Sequence, residues 1–105
     1  MVKTISSLQN PFIKQLIQLK EKSKLRKQTG LFIIEGKREL SLAIKGNYTI
    51  ETLYYYADLF SASEAASLEI YGIDIIEITK TVYEKVAHRG TTEGIVAVAK
   101  AKNFD

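Results

Sequence analysis

From Gly30 onward the chain alternates short apolar runs with helical segments, and this rhythm is what most limits its fold. Leu31-Phe32-Ile33-Ile34 is an unbroken apolar run, as expected for a strand covered on both faces. Residues 36–45 read as a helix with Leu40, Ala43 and Ile44 inward, closed by Gly46-Asn47. Residues 50–56 read as a second strand. Ser61-Ala62-Ser63-Glu64 matches a capping box opening a helix that stops at Gly72, and residues 74–78 make a third strand. Thr81-Val82-Tyr83-Glu84 is a second capping-box match on a short helix ending near His88, and Gly94-Ile95-Val96-Ala97-Val98-Ala99 is the last strand. Four strands separated by helical patterns predict an α/β protein: a three-layer α/β/α sandwich around a mainly parallel, four-stranded sheet.

Ahead of this alternation, Asn10-Pro11 opens a helix, with Asn10 as cap and Pro11 at the first helical position. Its apolar face, Ile13, Leu16 and Ile17, continues at the 3.6-residue period into Lys20, Lys24 and Lys27. A straight helix cannot bury both halves of such a face. The first half is therefore expected to dock on the core, and the second to project, bend or fray before Gly30.

The charges are as uneven as the hydrophobic pattern. Residues 1–38 hold nine cations against Glu21 and Glu35, whereas the rest holds six cations against ten acids, so the formal net charge of +3 hides a polarised molecule. Lys20, Lys22, Lys24, Arg26 and Lys27 crowd around a single Glu21. The cluster reads either as a solvated helix surface or as a set of phosphate contacts for RNA or DNA, joined by Lys14 on the same helix, and the excess of cations favours the second because a solubilising surface interleaves both signs. Such binding falls steeply with salt.

A second candidate is Glu35-Gly36-Lys37-Arg38, where a strand meets a helix start. In α/β folds ligands collect at the carboxyl edge of strands, and free helix N–H groups favour an anion, which Lys37 and Arg38 would help hold. Arg89, in the polar loop before the last strand, is a third RNA-contact candidate, and Gly94 serves the turn there. Tyr54, Tyr55 and Tyr56 are assigned to packing, since helices should cover both faces of the sheet.

Other chemistries find little support. The 105 residues contain no cysteine, which excludes disulfides and thiol nucleophiles and agrees with a reducing cytoplasm. The single histidine has no partner at ligand spacing, so no metal site is expected. No phosphate loop, nucleophile elbow or carboxylate pair is present, and no catalytic residue is assigned. No uncharged run approaches the roughly 18–20 residues needed to span a bilayer, and no membrane partner is expected. One domain, residues 1–105, accounts for the whole chain.

The order of these motifs is familiar. Ile5-Ser6-Ser7-Leu8-Gln9-Asn10-Pro11-Phe12-Ile13-Lys14, the basic run, Gly30-Leu31-Phe32-Ile33-Ile34-Glu35-Gly36-Lys37-Arg38-Glu39 and Thr91-Thr92-Glu93-Gly94-Ile95-Val96-Ala97-Val98 together resemble the start of SpoU/TrmH-type RNA 2′-O-ribose methyltransferases. That family's closing loop often carries proline and glutamine where Thr92 and Glu93 stand here. The resemblance implies an amino-terminal, L30e-like domain that holds structured rRNA or tRNA. It also implies that a knotted, dimer-forming catalytic domain, absent from this chain, binds S-adenosylmethionine and makes the parent protein a homodimer, while this chain itself neither binds the cofactor nor methylates. The competing expectations are a free-standing L30e-like ribosomal or kinked-RNA-binding protein, and a protein interaction domain with a basic arm.

Overall fold

The computed structural model describes residues 3–87 and 93–102. The elements in order are β1 (Lys3–Ile5), α1 (Pro11–Glu21), α2 (Ser23–Thr29), β2 (Leu31–Glu35), α3 (Lys37–Lys45), β3 (Thr49–Tyr55), α4 (Ala62–Ser67) continued by a 3-10 turn (Leu68–Tyr71), β4 (Asp74–Ile78), α5 (Lys80–Val86) and β5 (Ile95–Lys100).

The sheet has five strands in the order β1-β4-β3-β5-β2, one more than expected. Pairs β1/β4 and β3/β4 are parallel, whereas β5 runs antiparallel to both of its neighbours, β3 and β2. Two expectations are corrected by this arrangement. The sheet is mixed, because β5 starts at the edge where β3 and β4 end and so runs in the reverse direction. And β2 lies at the sheet edge, where Leu31, Phe32 and Ile33 stay half-buried instead of being covered on both sides.

Strand alternation divides the core in two. Ile95, Ala97 and Ala99 point with Leu53 and Tyr55 toward α3 and α4, into a cluster holding Leu40, Ala43, Phe60 and Ala65. Val96, Val98 and Tyr54 point the other way, onto Ile13, Leu16 and Leu19 of α1 and Val82, Tyr83 and Val86 of α5. The three-layer α/β/α sandwich therefore stands, with the uninterrupted apolar run of β5 at its centre, buried from Ile95 to Ala99.

Local signals explain most element ends. The Asn10 Oδ1 accepts from the Phe12 N–H at 2.9 Å, and the Ser61 Oγ accepts from the Glu64 N–H at 3.1 Å. The second capping box does not form. α5 begins one residue earlier than Thr81, with Thr79 at the cap position, and the Thr79 hydroxyl makes no capping bond. The change from oily to cationic face is resolved by a bend: Lys22 takes an extended conformation (φ −117°, ψ 104°) and splits one helix into α1 and α2. α2 does not project into solvent, because Leu25 turns inward against the cluster beneath α1 and β2.

The three tyrosines pack, as alternation requires. Tyr55 meets Phe60 edge-on at 6.4 Å between centroids, and Tyr56 stacks on Tyr83 at 5.2 Å. Burial pushes the Tyr54 hydroxyl pKa up from 10 to about 12. Its folded pKa lies above the unfolded value, so its contribution is intact below pH 10 and is lost as pH climbs toward 12. Stability by urea unfolding should fall across that window by up to ~1.4 kcal/mol per pH unit on its account, and Tyr54→Phe should flatten the fall. An unchanged pH profile in Tyr54→Phe would contradict this assignment.

Candidate nucleic-acid interface

The carboxyl ends of β2, β3 and β4 and the start of β5 all reach one edge of the sheet, since Glu35 lies opposite Val96, Tyr55 opposite Ile95, and Tyr55 opposite Glu77. Lys20 fastens three elements at this edge. Its ammonium lies 2.6 Å from Glu35 Oε1 at the end of β2 and donates to the Val86 carbonyl at the end of α5. A cation at the C-terminus of a helix is favoured by the helix dipole, and the pair with Glu35 adds to that. Its side chain is only 11% exposed, so Lys20 holds the site together and offers no free charge at the surface.

Arg26 is similarly committed. Its Nη1 donates to the Leu19 carbonyl at 2.6 Å and to the Lys20 carbonyl at 3.1 Å, satisfying the open end of α1 across the bend at Lys22. Of the five clustered cations, these two turn inward. Lys22, Lys24 and Lys27 remain exposed without an ion-pair partner among the described residues, and Lys14 is exposed on α1. The positive surface is thus a low ridge lying along the body, not a prong standing clear of it.

The β2–α3 junction departs from expectation in one respect. The first amide of α3, Lys37 N–H, donates to Glu93 Oε1 at 3.1 Å, so the chain's own carboxylate sits where an incoming anion was expected. The two residues are 56 apart in sequence and pattern reading missed them. A glutamine at 93 would offer the same acceptor, which reconciles this position with the family's usual residue. The Lys37 ammonium lies 3.4 Å from Glu64 and 5.4 Å from the Phe60 ring centroid, while Arg38 is exposed and unpaired among the described residues. Arg89 and His88 lie outside the described residues.

Among the described residues no cluster of His, Cys, Asp or Glu could hold a metal ion, and no helix is long and apolar enough to cross a membrane. What the described residues do present is a set of exposed cations, Lys37 and Arg38 at the start of α3 and Lys22, Lys24 and Lys27 along the bend and α2.

The sequence model of the MRM3-like substrate-binding domain matches residues 10–97. The chain belongs to that family. The MRM3-like domain is also similar to an rRNA methyltransferase from Sinorhizobium meliloti, at 25% identity and a TM-score of 0.78 over 98% of this chain and 38% of that one. An RNA 2′-O ribose methyltransferase aligns at 25% identity and a TM-score of 0.79, over 97% of this chain and 39% of that one. The SpoU methyltransferase AviRb from Streptomyces viridochromogenes shares the fold, at 21% identity and a TM-score of 0.76 over 92% of this chain and 37% of that one. The MRM3-like domain thus spans less than two fifths of the length of these solved relatives. No curated protein matches it.

Proposed function

We propose that this MRM3-like domain grips structured RNA, rRNA or tRNA, and presents it for methyl transfer to a ribose 2′-hydroxyl by a separate catalytic domain of the same protein. The observation that carries this reading is the ridge of Lys22, Lys24 and Lys27, exposed and without carboxylate partners among the described residues, on a chain whose other charges are mixed. Lys14, Arg38 and Arg89 extend the contact, and Lys37 joins it through the charge it shares with Glu64. Lys20 and Arg26 act as positioning residues, fixing the bend that sets the ridge against the sheet edge.

Contacts to backbone phosphates orient a nucleic acid without reading its sequence, so choice of target falls to RNA shape and to the catalytic domain. Two relatives, the Sinorhizobium meliloti rRNA methyltransferase and AviRb, are described with AdoMet bound. In this reading the cofactor belongs to the catalytic domain, and no step passes through this chain. A homodimer, in this reading, forms through that same domain.

The domain should bind a structured RNA in preference to a polyglutamate of matched charge, with an affinity that falls linearly in log–log form as salt rises. Equal competition by the polyglutamate would instead favour a protein partner for the basic ridge.

A further inference from the structure

Tyr71 closes the 3-10 turn after α4 and is 55% exposed, next to Ile70 at 81%. Its hydroxyl makes no hydrogen bond among the described residues, and its ring contributes nothing to either core cluster. Open grooves lie on both sides of it. One, of about 340 Å³, runs between α3 and α4 over a floor of Leu40, Ile44, Phe60 and Leu68. The other, of about 300 Å³, lies toward Asn47, Thr49 and Ile73.

The charges of the larger groove suit a nucleotide. Lys37 and Lys45, at the two ends of α3, both line it, separated by a rise of roughly 12 Å along the helix. Glu64 is the one acid among its lining residues, and it is engaged with Lys37. A flat apolar slot with a cation at each end and an unburied aromatic ring at its mouth matches a base attached to two phosphates. The groove is also continuous with the RNA edge described above, because Lys37 belongs to both.

We propose that Tyr71 is a stacking platform for an unpaired RNA base, splayed into the α3/α4 groove while Lys37 and Lys45 hold the adjoining phosphates. This rests on the RNA-binding reading and adds to it a preference for loops or bulges over plain duplex. Stacking on an aromatic ring is tolerant of base identity, whereas access to the slot requires a base free of its helix.

The test is a titration of the domain with two labelled RNAs of equal length, a hairpin with an unpaired loop and a blunt duplex, at several salt concentrations. Wild type should prefer the hairpin. Tyr71→Ala should weaken hairpin binding roughly 5- to 100-fold, leave duplex binding unchanged and leave the salt slope unchanged, since no phosphate contact is lost. Tyr71→Phe should keep the preference, because the ring and not the hydroxyl stacks. If Tyr71→Ala binds the hairpin like wild type while reversal of the lysine ridge abolishes binding, the stacking site is rejected and the RNA reading stands. Failure of wild type to bind either RNA removes both. Unchanged RNA affinity with altered self-association in sedimentation would make the Ile70–Tyr71 patch a protein contact and overturn the proposal.

Discussion

Reversal of Lys22, Lys24 and Lys27 to Glu should weaken binding to structured RNA on the order of 100-fold at low salt, with little change in stability. These three side chains are exposed and unpaired among the described residues, so each reversal should cost under ~0.5 kcal/mol of folding free energy. Each lost phosphate contact removes its released counterions, so the slope of log affinity against log salt should shrink by roughly one per residue. Arg26 and Lys20 are left out of this variant on purpose. Their donors close the α1 carbonyls and the Glu35 pair, so changing them would disturb the bend at Lys22 and confound loss of binding with loss of structure. A triple variant that binds as tightly as the parent, or keeps the parent's salt slope, would place the RNA elsewhere.

Gly94→Ala should lower stability by about 3 kcal/mol, the largest effect expected of any single small substitution here. Gly94 holds φ +86°, a conformation that costs any L side chain roughly 1–2 kcal/mol. Space is lacking as well. A Cβ there would meet Leu59 Cβ at 2.7 Å, the Phe60 nitrogen at 3.0 Å and the Leu59 carbonyl carbon at 3.1 Å. Two of these are backbone atoms, and the position is pinned from both sides: the Gly94 N–H donates to the Tyr83 hydroxyl at 2.9 Å, and its carbonyl accepts from the Tyr56 N–H at 2.8 Å. Calorimetry should show a melting temperature lower by about 10–20 °C for a domain of this size. A fall of only a degree or two would mean that the Leu59–Phe60 turn yields easily.

Much of this architecture could be read from residue spacing. The apolar run of residues 95–99 pointed to a strand, Asn10-Pro11 and Ser61 marked two helix starts, and the passage from Leu16 to Lys20 on one face left projection, a bend or fraying as outcomes, of which the bend between α1 and α2 is the one found. Other features depend on contacts distant in sequence. β1 is three residues long, too short for any period to register, and the reversed direction of β5 follows from where the chain re-enters the sheet. The sequence placed Lys20 and Arg26 in the basic cluster without revealing that both side chains fold inward. For Lys20 a signal existed: Glu35, a carboxylate ending an apolar strand, needs a counter-charge. The capture of the Lys37 amide by Glu93 had no local signal at all.

The most direct test of the account is a map of backbone amide shifts as a structured RNA is titrated into the domain. The largest changes should fall on residues 22–27 and 36–38, with Tyr71 added when the RNA carries an unpaired loop. Shifts that leave residues 22–27 and 36–38 unmoved while changes gather elsewhere would contradict it.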